Sequence, residues 1–272
     1  MTGDGGGLGR RTFIDRSDDR TLPLDYAGDV CVWDIDKTYL DTRFSSVRGL
    51  LGIPFELAID KRAVAGTVPL LHGLRHGPRE ESALVPLYFI SGSPRQMRRV
   101  VERKMTMDGV QFDGITFKDQ LGLLKAGRLR GLVEQIGYKL QALLLYRRDH
   151  PRGVRYLLFG DDVEMDLDAF LLFGQVCAGL RGPGLRERLR SLGVHRDDVE
   201  IVCSLADGLA VEPDPVAQVF IHQVRGGGGN KGDARVHVAA SFADHARTLL
   251  ALGKIRGADC EAVRDQAART SA

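Results

Sequence analysis

The chain has 272 residues, enough for one large α/β domain or for a domain with a modest insertion. Its 38 Lys and Arg against 36 Asp and Glu leave a formal charge of +2, so the overall balance gives no case for a nucleic-acid partner or an acidic tail. A hydrophobic fraction of 43% with 27% charged residues excludes disorder of the whole chain, and four scattered cysteines without a CxxC pair argue against a disulfide scaffold or a zinc module.

In chain order, residues 1–27 carry a Gly-rich start and the charged run Asp15-Arg16-Ser17-Asp18-Asp19-Arg20, which reads as a mobile leader outside the core. Short apolar runs then recur: Asp29 to Asp36, Leu84 to Ser91, Val154 to Asp161, Val199 to Ser204 and Val216 to Val224. Between them lie helical patterns, with Met97, Val100, Val101 and Met105 at steps of 3, 4 and 8, and with Leu140, Leu143 and Leu144 on one side of Lys139 to Arg147. Continuous apolar strands alternating with helices predict a doubly wound, mostly parallel, Rossmann-like sheet covered on both faces. The expected domain runs from 28 to 258, with a small helical insertion at 42–83, an unexplained insertion at 181–214, a Gly-rich loop at 225–234 and a C-terminal tail at 259–272. The loop lacks the spacing of a phosphate-binding P-loop.

No apolar run approaches the roughly 20 residues needed to span a bilayer, and the N-terminus lacks a basic segment followed by an apolar core. The expectation is a soluble, cytoplasmic protein, with contact at a membrane periphery left open. Trp33 reads as a packing residue, and His222 as a histidine hydrogen-bonded within its strand.

Parallel sheets bind ligands outside the carboxyl ends of their strands, so the polar residues that terminate the apolar runs are the ones to test. The first run ends in Asp34-Ile35-Asp36-Lys37-Thr38. One carboxylate of such a pair can attack phosphorus, forming an aspartyl phosphate, while Asp36 protonates the leaving alkoxide and later deprotonates the attacking water. The second run ends in Ser91-Gly92-Ser93-Pro94, a hydroxyl and free amides before a helix, suited to hold phosphoryl oxygens. The third ends in Gly160-Asp161-Asp162 with Asp166 four residues on, an acidic cluster suited to Mg²⁺. Two unit charges about 4 Å apart interact by roughly 4 kcal/mol at an effective dielectric of 20, so these carboxylates and a phosphate dianion need a divalent ion and an ammonium between them. Lys139, which opens the helix before the third run, and Lys118 are the two candidates for that ammonium.

As a set in this order, these motifs resemble the haloacid dehalogenase superfamily of phosphohydrolases. Within it, Leu87 to Pro94, Tyr138-Lys139-Leu140 and Tyr156 to Asp166, continuing to Phe170, look like the catalytic domain of the actin-patch phosphatidate phosphatase family and its bacterial relatives. The resemblance covers about residues 29 to 175, with a weaker echo over Val216 to Ile255. It implies Asp34 as nucleophile, Asp36 as general acid/base with its carbonyl on Mg²⁺, Ser91 as phosphoryl ligand, and Lys139 rather than Lys118 as charge stabiliser. Asp161 would be the main metal carboxylate, with Asp162 and Asp166 as further acids either on the metal or just behind its ligands. Thr38, Gly92 and Ser93 would border the substrate phosphate. The implied function is a Mg²⁺-dependent phosphomonoesterase, with phosphatidate or another lipid phosphate as substrate.

Three features depart from the family pattern. Lys37 stands inside the DxDxT motif where a small or acidic residue is common, Arg95 follows the Ser-Pro pair where many fungal relatives carry Trp, and 181–214 is unaccounted for. Arg95, Arg98, Arg99 and Arg103 recur at steps of 3, 4 and 8, a face that either meets an anionic lipid surface or is simply solvated.

Other readings are a phosphatase of small soluble phosphoesters or a catalytically silent domain that binds a phosphorylated ligand or a partner. Dehalogenation needs neither Asp36 nor a metal cluster. A phosphoaspartate receiver has its acidic pair first in the chain, whereas Asp161-Asp162 comes last here.

Overall fold

The computed structural model describes residues 14–41, 62–79, 84–125, 135–226 and 232–271. Seven strands form one sheet: β1 (Ile14–Asp18), β2 (Asp29–Asp34), β3 (Leu87–Pro94), β4 (Gly114–Lys118), β5 (Arg155–Asp161), β6 (Val216–His222) and β7 (Val236–Ala239). Their order is β1-β4-β3-β2-β5-β6-β7, parallel throughout except for β1, which pairs antiparallel with β4 at the edge. Counted without β1, the parallel strands run 3-2-1-4-5-6, the order of a doubly wound, Rossmann-like α/β sheet.

The period-2 alternation of buried strands divides the interior into two cores. Val30, Val32, Tyr88, Ile90, Tyr156 and Leu158 face one side, under α4 (Ile136–Asp149), α5 (Asp166–Cys177), α6 (Gly182–Ser191) and α7 (Arg196–Asp207). Cys31, Trp33, Leu87, Phe89, Leu157 and Phe159 face the other, against α1 (Thr67–His76), α2 (Arg98–Met107), α8 (Phe242–Ala251) and α9 (Gly257–Ser271). A short helix, α3 (Gln120–Lys125), follows β4. Trp33 is fully buried and stacks on Phe159 at 4.2 Å, and Phe159 stacks on Phe220 at 4.8 Å, so an aromatic row runs across three strands beneath their carboxyl ends.

Three expectations are corrected. The charged run placed in a leader is strand β1 from Ile14, followed by a buried Leu22; residues 1–13 lie outside the described residues. A charged edge strand deters pairing with other chains, and here Arg16 also lies over the Tyr146 ring at 4.5 Å. Val199 to Ser204 is not a strand but the middle of α7, whose buried Val199, Val202, Cys203 and Ala206 recur at 3, 4 and 7. Residues 181–214, expected as an insertion of unexplained role, form α6 and α7, which place Leu185, Leu189, Val199 and Val202 in the main core.

The C-terminal tail is helix α9, which buries Cys260 and Val263 and accepts the Gly66 N–H on Gln266. Much of the expected 42–83 insertion lies outside the described residues, and its remainder, α1, is a core helix. Residues 227–231 of the expected Gly-rich loop at 225–234 also lie outside them. No helix among the described residues is long and apolar enough to cross a membrane.

Candidate phosphoryl-transfer site

In a doubly wound sheet the ligand crevice lies where the strand order reverses. That reversal falls between β2 and β5, and both strands end on aspartate: Asp34 closes β2 and Asp161 closes β5. After Asp34 the chain turns tightly, with Ile35 donating its N–H to the Ile90 carbonyl, Lys37 donating to Leu40 and Leu40 donating back to Ile35. The turn places Lys37 in the left-handed region, at φ 62°.

Asp36 points at the end of β3. Its carboxylate accepts from the Ser91 hydroxyl at 2.9 Å and from the Ser93 hydroxyl at 3.0 and 3.1 Å, while Ser93 donates its N–H to Ser91 Oγ at 3.1 Å. Ser91 and Ser93, expected to meet a phosphate, here hold the second aspartate. The turn is fixed from below: Tyr138 donates to the carbonyls of Ser91 and Thr116, and Gln120 donates to the Gly92 carbonyl. Gln135 packs so close that a Cβ on Gly92 would lie 2.6 Å from its amide.

Asp161 Oδ1 accepts the Val163 and Glu164 N–H groups, and Asp166 Oδ2 accepts the Asp161 N–H at 3.0 Å. A Cβ at Gly160 would collide with the Asp166 carboxylate, so glycine is required where β5 passes this cluster. The two lysine candidates separate clearly. Lys139, in the first turn of α4, is almost wholly buried; its ammonium lies 2.8 Å from Asp34 Oδ1, 3.1 Å from Glu164 Oε2, and against Asp166. Lys118 lies at the end of β4 with its ammonium over the Tyr138 ring.

The ligand oxygens of Asp34, Asp161 and Asp166 all lie within 4.8 Å of one another, a group that could hold a metal ion. Asp34 Oδ2 and Asp161 Oδ2 are buried and accept no hydrogen bond from the described residues. Buried, unpaired carboxylate oxygens that converge from separate loops are the donor set a hard divalent cation takes. The Thr38 hydroxyl is also buried without a hydrogen-bond partner among the described residues.

Asp162 has a different position from the one expected of it. Its carboxylate accepts the N–H groups of Val224, Arg225 and Gly226, anchoring the chain after β6 instead of joining the acidic cluster. The Asp36 carboxylate, expected as the general acid/base, is held by the two serines.

The electrostatics follow from burial. Desolvation, reinforced by Asp166 and Glu164 against the pull of Lys139, raises the Asp34 carboxyl well above the usual range. Desolvation and Asp166 push Asp161 up to about 7. Burial and the Glu164 charge raise Asp36, only partly offset by the serine hydrogen bonds, which favours a protonated acid. Burial disfavours the Lys139 ammonium, yet Asp166, Asp34 and Glu164 hold it well above its ordinary value.

Glu164 is the residue that the sequence reading did not assign. Burial would raise it, but Lys139 and Lys37 together hold its carboxyl below the ordinary value. Lys37 donates to Glu164 Oε1 at 3.0 Å while Glu164 Oε2 takes Lys139, so one carboxylate bridges both ammonium groups. The one available signal was the coincidence of Lys37 inside the first motif with Glu164 inside the third.

Elsewhere, Arg98 is turned away from the supposed arginine face: it donates to Ser17 Oγ and the Asp15 carbonyl and lies over Phe117, tying α2 to β1 and β4. Arg95 pairs with Asp119 at 3.6 Å. His222 is held by stacking on Phe242 at 4.7 Å, and its Nδ1 makes no hydrogen bond with the described residues.

Fold and site together define an α/β protein with an acidic, lysine-bearing cluster at the switch point of a mostly parallel sheet. No protein-family model, curated protein or solved structure matches this chain.

Proposed function

We propose that the protein is a phosphomonoesterase of the haloacid dehalogenase type, dependent on Mg²⁺ and working through an aspartyl phosphate on Asp34. The observation that carries this reading is the convergence of Asp34 from β2, Lys139 from α4 and Asp161 and Asp166 from the β5–α5 turn at the strand-order reversal. Asp34 attacks phosphorus in line with the ester oxygen, and that P–O bond breaks. Asp36, buried and biased towards its protonated form, gives its proton to the leaving oxygen. The same carboxylate then takes a proton from the water that attacks the phosphoaspartate, returning Asp34 and releasing inorganic phosphate.

Lys139 sets a fixed positive charge beside the nucleophile, and the Ser91 and Ser93 hydroxyls can rotate from Asp36 towards a phosphoryl oxygen. Asp34, Asp161 and Asp166 would hold Mg²⁺, which when bound neutralises charge on these carboxylates and on the phosphoryl oxygens. The family resemblance adds phosphatidate or a related lipid phosphate as the substrate to try first, alongside lysophosphatidate, sugar phosphates and nucleotides.

The test is turnover of an aryl phosphate with Mg²⁺ by the wild-type protein and by Asp34→Asn. The wild type should release phosphate and the variant should lose at least about 10³-fold of that rate, as should the wild type in EDTA. Equal rates in wild type and variant would end the nucleophile assignment, and full activity in EDTA would end the metal assignment.

A further inference from the structure

Lys37 is the residue at which this chain departs from the family pattern inside its first motif, and the function proposed above gives it no task. It adopts a left-handed backbone conformation that costs free energy for a residue with a Cβ, and such outliers concentrate at functional sites. From there its ammonium reaches across to the β5–α5 turn and meets Glu164 Oε1 at 3.0 Å. Glu164 Oε2 lies 3.1 Å from the Lys139 ammonium, which is 2.8 Å from Asp34. The side chains thus form a continuous chain of alternating charge, Lys37–Glu164–Lys139–Asp34, from the partly exposed rim to the buried nucleophile.

Charge arithmetic gives the chain its purpose. Among the described residues, the cluster sets the five carboxyl groups of Asp34, Asp36, Asp161, Glu164 and Asp166 against the two ammonium groups of Lys37 and Lys139. Two of these acids, Asp36 and Glu164, do not join the group able to hold a metal; Asp36 is held by the two serines, whereas Glu164 meets Lys139, so its charge competes with Asp34 and with an incoming phosphate for that ammonium. Lys37 supplies Glu164 with an ammonium of its own.

We infer that Lys37 is a positioning residue that neutralises Glu164, leaving the Lys139 charge to the nucleophile and to the phosphoryl group, and thereby sets the affinity of the site for the phosphate dianion. The inference rests on the phosphatase reading and deepens it: Lys37 acts through Glu164 and does not touch the phosphate.

The experiment is a double-mutant cycle with inorganic phosphate as probe, read in Mg²⁺ by calorimetry and as inhibition of aryl-phosphate turnover. Lys37→Met leaves Glu164 uncompensated and should weaken phosphate binding and raise KM on the order of fivefold, with a smaller effect on kcat. Lys37→Arg, which keeps the charge, should recover most of the lost affinity. Glu164→Gln alone should bind phosphate more tightly than wild type, and Lys37→Met combined with Glu164→Gln should return to within about twofold of wild type, because the charge balance is restored.

A double variant as weak as Lys37→Met would overturn the inference, since it would mean that Lys37 meets the phosphate directly. So would Lys37→Met binding like wild type. Should Lys37→Met fail to fold, Glu164→Gln still decides, because weaker binding in that variant contradicts the proposed competition. A wild-type protein that neither binds phosphate nor hydrolyses the ester fails the phosphatase reading and this inference with it. An active wild type whose phosphate affinity ignores Lys37 removes this inference alone.

Discussion

Asp161 is buried beside Asp166, and desolvation together with that neighbour lifts its carboxyl to about 7. A carboxyl raised in the folded state stabilises the fold fully below its unfolded value near 3.8, and that contribution is lost as pH rises through 7. Metal-free protein at pH 8 therefore carries a repulsion that Asp161→Asn removes, and Asn Oδ1 still accepts the Val163 and Glu164 N–H groups. Chemical denaturation in EDTA at pH 8 should show the variant more stable than wild type by about 2 kcal/mol or more, and added Mg²⁺ should stabilise the wild type but not the variant. A variant less stable than wild type in EDTA would contradict the electrostatic account of the cluster.

His150 has the opposite sign. Burial and the nearby Arg16 pull its imidazole down to about 4 among the rings of Tyr88, Tyr146 and Tyr156, so it folds neutral. Unfolded protein binds its proton near 6.5, and stability should fall by about 3 kcal/mol as pH drops from 6.5 to 4. His150→Phe should flatten that slope in denaturant titrations, and an unchanged slope would remove His150 as its source. Asp34, Asp36, Asp161 and Asp166 could be picked out from sequence because each falls at or just after the end of an apolar run, where a parallel sheet exposes its polar termini. Glu164 could not, because its role depends on two lysines, 127 and 25 residues away in the chain.

At the scale of elements, periodicity served well where burial was strong and failed where it was partial. β2, β3, β5 and β6 are interior strands whose both faces are covered, so they read as continuous apolar runs. β1 is a charged edge strand, and β4 and β7 are short, so none of the three carries that signal. The apolar core of α7 was too short a run to separate from a strand, although Val199, Val202, Cys203 and Ala206 hold the helical spacing. The weakly hydrophobic α9 anchors through Cys260 and Val263 on a surface that composition does not reveal.

The core role of α6 can be tested. Leu189→Ala should cost about 2–5 kcal/mol of unfolding free energy, as expected for a core leucine, where an exposed appendage would lose under about 0.5. At the β5 end, Gly160→Ala should displace Asp166 and abolish phosphate release while the far-ultraviolet spectrum stays native. Full turnover in that variant would mean that the Asp166 position is immaterial to the site.

Across the whole molecule, one topological fact organises the chemistry. The parallel strands run 3-2-1-4-5-6, so the first and fourth lie side by side while their following connections leave to opposite flanks, opening a crevice where they end. Asp34 and Asp161, 127 residues apart in sequence, meet there because β2 and β5 pair in register from Asp29 with Arg155 to Trp33 with Phe159. The alternation of strands and helices made the layered sheet foreseeable, and the strand ends made the crevice foreseeable. The exact partners of Asp162 and Arg98 depended on the loop after β6 and on the edge strand, which local pattern does not specify.

Phosphoryl transfer to Asp34 should be visible in an Asp36→Asn variant given an aryl phosphate, whose leaving group departs without a proton from Asp36, so that a phosphoaspartate forms but breaks down slowly for want of the base. Acid quenching after incubation with a phosphoester and Mg²⁺, followed by peptide mass spectrometry, should find one phosphoryl group on the peptide that carries Asp34. A wild-type protein that hydrolyses the ester while neither it nor the variant ever carries phosphate on that peptide would contradict the account.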